Sequence, residues 1–328
     1  MISGPARRRT GRRGVAGVRV VAALGGNAIS PAAGSGSVAE MRTELAATSR
    51  LLADLVERGV ELVLTHGNGP QVGRILLQQE AAAPTVPPMP MDVCGALSQG
   101  QIGYLLAQAL DTELRRRDIG TRALCLVTQV VVDGRDPAFR RPTKPVGPSY
   151  AEAEAHRIAR ETGYVFQDVG EGKWRRVVAS PLPLRFVEEE PLLQVIEAGH
   201  VVVAAGGGGV PVVEHGAELR GVEAVVDKDR TAARLAALVR ADLLLILTEV
   251  DKVQTGFGTP DACTLDRLSL GDARKLLAGG EFPEGSMGPK VTACCDFVEG
   301  GGKRAVIAAL ASVADAVFGD AGTAVVAG

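Results

Sequence analysis

Three runs of aliphatic residues end on clusters of glycine. VRVVAAL (18–24) runs into Gly25-Gly26-Asn27, ELVLT (61–65) into His66-Gly67-Asn68-Gly69-Pro70, and HVVVAA (200–205) into Gly206 to Gly209. An unbroken apolar run reads as a strand covered on both faces, and such strands belong to parallel sheets with helices on either side. Parallel α/β sheets take their ligands at the C-terminal ends of the strands. Glycine turns there bring bare N–H groups close to an anion, and a following helix N-terminus adds partial positive charge. Pro70 suits the first turn of such a helix.

The rest of the chain keeps this alternation. Leu45, Leu51, Leu52 and Leu55 sit at helical spacing over residues 38–58 and stop at Gly59. SQGQIGYLLAQALDTELRRR predicts a long helix and ALCLVTQVVV a strand. After the third glycine cluster, a strand-like run leads into VVDKD, an alanine-rich helix follows, and then the strand DLLLILT. SLGDARKLLAGG and VTACCDFVEGG predict helices, GSMGPK a loop and RAVIAAL a strand. Residues 134–173 break the pattern: they are polar, carry Pro137, Pro142, Pro145 and Pro148, and hold one short helix, EAEAHRIARE. This segment reads as an excursion from the sheet, a lid flanked by the strands VTQVVVD and WRRVVAS. Strand–helix alternation implies a mostly parallel central sheet covered on both faces.

Composition narrows the function classes. Aromatics make up only 3% of the chain, so Val, Leu, Ile and Ala must build the core. A net charge of −2 gives no global attraction to nucleic acid or a membrane surface. No apolar run reaches the roughly 18–20 residues of a membrane span. Five cysteines without a C-x-x-C fit a reduced, cytoplasmic compartment. MISGPARRRTGRRG at the N-terminus is expected to be a disordered basic tail over residues 1–17. A twin-arginine export signal is the alternative, against which Arg19 interrupts the apolar run that follows.

Common site fingerprints are missing. The sequence has no G-x-G-x-x-G after a strand, no P-loop, no G-x-S-x-G and no H-E-x-x-H, so no zinc or other protein-held metal site is expected. What remains is a bias in the polar residues: 29 Arg against 7 Lys, and two Asn, Asn27 and Asn68, both in glycine turns. Lysine is therefore worth following where it occurs in loops: Lys144 in RPTKPVGP, Lys228 in VDKDR and Lys290 in GSMGPK. A compact ammonium can follow charge that spreads over a moving phosphoryl group, and a neighbouring carboxylate can aim it. One alternative is that Asp229 caps the helix after it and Lys228 is a solvated loop charge. Lys173, Lys252, Lys275 and Lys303 are read as surface charges.

The collinear set VVAALGGNAI, THGNGPQVGRILLQQ, MPMDVCGALSQGQIGY, VTQVVVDGRDPAF, PTKPVGP, AGGGGVPVV, GVEAVVDKD, LTEVDKV and GSMGPKV resembles the carbamate kinases, of the amino-acid kinase family, from about residue 18 to the C-terminus. The resemblance implies an open three-layer αβα sandwich over residues 18–328. An acceptor-binding N-terminal lobe (18–215) would carry the lid, and a nucleotide-binding C-terminal lobe (216–328) would follow. It implies reversible phosphoryl transfer between ATP and carbamate with Mg²⁺, giving ADP and carbamoyl phosphate and running toward ATP in arginine or related nitrogen catabolism. It also implies a cytosolic homodimer.

By the same resemblance Lys228 contacts the transferred group, Asp229 orients Lys228 and Lys290, Lys290 follows the nucleotide phosphates, and Lys144 reaches the acceptor from the lid. Gly25, Gly26, Asn27, Gly67, Asn68, Gly69, Gly207 and Gly208 are expected around the acceptor, and Thr248, Asp251 and Met287 around the nucleotide. Many amino-acid kinases carry a lysine two residues before the first Gly-Gly, where this chain has Ala23; Lys228 would replace it. The Arg-rich tail and Ala179, where proline is common, depart from the pattern. Two rival readings are a sister kinase acting on another carboxylate, phosphonate or nucleotide, and a non-catalytic sensor of carbamoyl phosphate or nucleotide.

Overall fold

The computed structural model describes residues 17–31, 34–283 and 285–328; the expectations for the N-terminal tail lie outside them. Its main sheet has eight strands: β1 (Arg19–Leu24), β2 (Glu61–His66), β3 (Ala123–Leu126), β4 (Val201–Ala204), β5 (Leu243–Thr248), β6 (Arg267–Ser269), β7 (Arg304–Ala309) and β8 (Thr323–Val326). The spatial order is β6-β8-β7-β5-β1-β2-β4-β3. Neighbours run parallel except β7 and β8.

Strand periodicity separates the two cores. Val20, Ala22 and Leu24 of β1 face one way and Val21 and Ala23 the other, all 0% exposed. The first set packs with Met41, Leu45 and Leu52 of α1 (Val38–Glu57) and Ile102, Leu106 and Leu110 of α3 (Met91–Arg116). The second packs with Leu192 and Ile196 of α5 (Glu189–Glu197), Ala232, Leu235 and Ala236 of α6 (Lys228–Leu238), Ala273 of α7 (Leu270–Ala278) and Val291, Cys294 and Cys295 of α8 (Met287–Glu299). Helix, sheet and helix layers result, as expected. The start of α1 is fixed by a capping box between Ser37 and Glu40.

The excursion is a three-stranded antiparallel sheet of Lys144–Tyr150, Trp174–Val178 and Val165–Asp168, with α4 (Glu152–Thr162) against it. It ends past residue 173: Trp174–Val178 is its middle strand and not a flank. Val146 and Val178 dock it onto Val72, Ile75 and Leu76 of α2 (Gly69–Ala82) and onto Met91 and Cys94 of α3. Two further expectations need correction. ALCLVTQVVV is two strands: after β3 the chain breaks at Val127–Thr128, and Gln129–Val131 joins a separate four-stranded sheet. Thr128 causes the break, because its backbone N–H and C=O bond the Gln99 amide and its hydroxyl accepts from Ala205 N. The valines of VVDKD form no strand; Ala224 makes an isolated bridge to Ala179 and the chain turns straight into α6.

Among the described residues no helix is long and apolar enough to cross a membrane. The cysteines are free; burial pushes the Cys125 and Cys295 thiols up to about 11 and raises Cys294 well above the ordinary thiol value, so these pack as small apolar groups.

Candidate active site

The ends of the adjacent central strands β1 and β5 open into a cavity of about 530 Å³. Gly25, Gly26 and Asn27 line it from β1, Thr248 from β5, Lys228 from α6, and Met287 and Lys290 from α8. Its apolar wall is Val250, Phe257, Phe282, Met287 and Leu310. The loops expected around the three lysines are element starts instead: Lys144 opens a lid strand, Lys228 is the first residue of α6, and Met287–Lys290 of GSMGPK is the first turn of α8, so two helix N-termini bring the Lys228 and Lys290 ammoniums to one end. Cations at helix N-termini are unfavourable unless an anion is present.

A buried carboxylate holds these two lysines. Lys290 Nζ donates to Asp229 Oδ2 at 3.0 Å. Lys228 Nζ pairs with Oδ1 at 3.0 Å. The side chains of Asp229, Lys228 and Lys290 are 6%, 14% and 17% exposed. Burial by itself would raise the Asp229 carboxyl; the two ammoniums outweigh it and hold the group below the ordinary carboxylate range. Lys228 also reaches back to Leu24 O, at 3.5 Å, beside the buried Ala23.

The cap of α6 is Asp227, not Asp229. Its Oδ1 accepts from Asp229 N and Arg230 N, and its Oδ2 accepts from Lys144 Nζ at 2.8 Å. The lid lysine therefore meets the same turn of helix as Lys228.

The second and third glycine turns stand behind the lysines. The Lys228 stem passes Gly67, whose added Cβ would lie 3.7 Å from Lys228 Cδ. Asn68 precedes α2 and donates from Nδ2 to Ser98 Oγ at 2.8 Å. Gly207 (φ +67°) lies flat on that amide: an added Cβ would stand 2.2 Å from Asn68 Nδ2. At Gly208 (φ +94°) it would stand 2.1 Å from Val226 O. These glycines are required by close packing, and neither Gly207 nor Gly208 lines the cavity. Gly67, Asn68, Gly69, Lys144 and Asp229 do not line it either; Lys144 and Asp229 join it through their ion pairs, and Asp251 is exposed and outside it. Lys252, expected on the surface, lines the cavity and pairs with Asp266. Gln254, Phe257, Phe282 and Leu310 line it without having stood out in the sequence, and Glu249, Gly285 and Ser286 line it from the LTEVDKV and GSMGPKV motifs. Phe257 and Phe282, two of the few aromatics in a chain that is 3% aromatic, carry a signal that a sequence could show.

His66 lies beneath Lys228 and is 1% exposed. Its Nδ1–H donates to Gly67 O at 2.9 Å, the tautomer following from the carbonyl acceptor. Burial drives the imidazole down to about 4; the bond to Gly67 works the other way and Lys228 adds to the lowering. The folded protein thus holds a neutral ring where the unfolded chain takes a proton. Its contribution to stability is complete above the ordinary imidazole value of 6.5 and is lost as pH falls toward about 4. We expect unfolding free energy to drop by roughly 3 kcal/mol across that window from this group. Urea titrations of wild type and His66→Gln between those pH values check it: the variant should lack this part of the slope.

Known proteins share both fold and sequence. The family model described as "Amino acid kinase family" matches residues 18–309. The chain belongs to the amino acid kinase family. This amino acid kinase is 48% identical over 310 residues to the carbamate kinase of Pyrococcus furiosus, covering 94% of this chain and 98% of that one. It is 47% identical over 312 residues to the carbamate kinase of Thermococcus kodakarensis, covering 94% and 99%. A solved carbamate kinase from Giardia lamblia, bound to AMP-PNP, superposes with a TM-score of 0.90 at 38% identity, covering 95% of this chain and 99% of that one.

Proposed function

We propose that the chain is a carbamate kinase, transferring a phosphoryl group reversibly between ATP and carbamate. The observation that carries this reading is the pair of lysines aimed by one buried aspartate into a cavity at the ends of β1 and β5. It is supported by near-full-length identity to carbamate kinases. The apolar wall of Val250, Phe257, Phe282, Met287 and Leu310 takes the nucleoside, and Lys290 follows its phosphates. Gly25, Gly26 and Asn27 face the transferred group beside Lys228, with the acceptor toward the lid and Lys144.

Carbamate is already an anionic oxygen nucleophile, so the chemistry needs no general base. Its oxygen forms a bond to the γ-phosphorus while the bond from phosphorus to the β–γ bridging oxygen breaks, and the electron pair leaves on ADP. The protein's part is positioning and charge neutralisation, with Lys228 next to the moving group. Among the described residues no group of three or more His, Cys, Asp or Glu is placed to hold a metal, and both Asp229 oxygens face lysines. Mg²⁺ would enter with the nucleotide and would supply charge neutralisation at its phosphates, beside Lys290. We place the physiological direction toward ATP and the enzyme in the cytoplasm.

A coupled assay of ATP formation from ADP, Mg²⁺ and carbamoyl phosphate tests the assignment. Absence of turnover in folded, nucleotide-binding protein would refute it.

A homodimer completes the proposal. Val93, Leu97 and Tyr104 are exposed along one face of α3, and β3 is an edge strand of the main sheet. A second copy covers such a face. Light scattering is expected to give twice the chain mass, falling to the monomer for Leu97→Glu combined with Tyr104→Glu.

A further inference from the structure

The DKD motif holds two carboxylates, and phosphoryl transfer as described uses only Asp229. The segment that carries Asp227 is bound to the lid by backbone as well as by charge. Lys144 pairs in register with Val178 in the lid sheet. The next residue, Ala179, accepts through its carbonyl from Val225 N at 2.9 Å. Two residues on stands Asp227, so the main chain itself sets Lys144 over that carboxylate. Oδ1 of Asp227 is occupied by the first-turn N–H groups of α6, which fixes its plane, and Oδ2 is left to accept from Lys144 Nζ at 2.8 Å. The lid is tied further by Tyr150 Oη to Glu80 and by the Arg176–Glu223 ion pair. Lys144 itself stays 38% exposed.

An ammonium has three donors, and Asp227 takes one. The others remain free for an anion in the same place. The helix turn thus carries two aiming carboxylates on either side of Lys228: Asp229 directs Lys228 and Lys290, and Asp227 directs Lys144. Three ammoniums against two carboxylates leave one net positive charge for the transferred group.

We infer that Asp227 is a positioning residue which aims the lid lysine at the acceptor anion through the Asp227–Lys144 ion pair, while capping the helix that bears Lys228. This rests on the carbamate kinase reading. The test is a cycle of wild type, Asp227→Asn, Lys144→Ala and the double variant. Asparagine caps a helix about as well as aspartate, so it removes the charge and keeps the cap. Thermal unfolding of Asp227→Asn should stay within a few degrees of wild type.

In ATP formation, each single change should lower kcat/KM for carbamoyl phosphate between about 10- and 100-fold, the size of a misplaced reacting group. The KM for ADP should hold. The double variant should be no worse than the poorer single, because both remove one interaction. Amide hydrogen exchange over Lys144–Tyr150 should quicken equally in both singles. Wild-type kcat/KM in Asp227→Asn, losses that multiply in the double, or unchanged lid exchange each overturn the inference. Wild type without turnover would strike the carbamate assignment instead, and the exchange comparison would then decide the contact by itself.

Discussion

Replacing Lys228 by alanine should lower kcat for ATP formation by about 10²–10³, the usual loss when one preorganised donor to a charge-bearing oxygen is removed. The side chain is 14% exposed and held at its tip by Asp229 and Leu24 O. Little reorganisation is therefore needed when charge develops next to it. The fold should survive, because Asp229 keeps Lys290 as a partner at 3.0 Å. ADP affinity should change only a few-fold, since Lys290 and the apolar wall remain. Lys228→Arg should restore charge without restoring rate. Its stem runs against Gly67, and a planar fork cannot take the place of a point donor between Leu24 O and Asp229. Steady-state kinetics of both variants, with ADP binding by calorimetry, decide it. A near-wild-type kcat in Lys228→Ala would move the transfer chemistry away from the DKD turn.

Much of this site is legible in the sequence, and for physical reasons. Strands buried on both faces leave continuous apolar runs, so β1, β2, β4 and β5 stand out, the first three together with the glycine turns at their ends. A chain that fills generic positions with arginine makes a lysine conspicuous in a stretch rich in Gly, Pro or Asp, and Lys144, Lys228 and Lys290 all meet at two aspartates. What stays hidden depends on partners distant in sequence. The break at Thr128 is made by Gln99 and Ala205, which no local pattern reveals. Trp174–Val178 is a lid strand because Lys144–Tyr150 and Val165–Asp168 pair with it on both sides. Gly207 and Gly208 resemble anion donors in sequence, yet their absent side chains serve Asn68 and Val226 O. The two Asp of DKD are chemically identical in sequence; only the turn of α6 assigns the cap to Asp227 and the buried anchor to Asp229.

Asp229 carries the second large effect. Asparagine at this position keeps the shape and removes the charge, leaving two ammoniums in a largely buried space with no counter-ion. Breaking a buried pair from one side costs about 3–5 kcal/mol. Lys228 and Lys290 retain some solvent contact, at 14% and 17% exposure, which sets the expectation for Asp229→Asn at the lower end, about 3 kcal/mol. For a chain of this size that lowers Tm by about 4 °C. The variant should also respond differently to anions. In wild type an incoming phosphate meets lysines already neutralised in part; in Asp229→Asn it supplies the missing counter-charge, so ADP or inorganic phosphate should raise Tm more than in wild type. Acid should act in the opposite sense. A carboxyl depressed in the fold contributes stability above its unfolded value of 3.8 and loses it as pH falls below that. That acid limb should be absent from Asp229→Asn, while the His66 limb between about 4 and 6.5 persists in both proteins. Thermal scans with and without phosphate, repeated across pH, separate the two groups. If Asp229→Asn unfolded like wild type and gained nothing extra from phosphate, the aspartate would not be what holds the lysines in place.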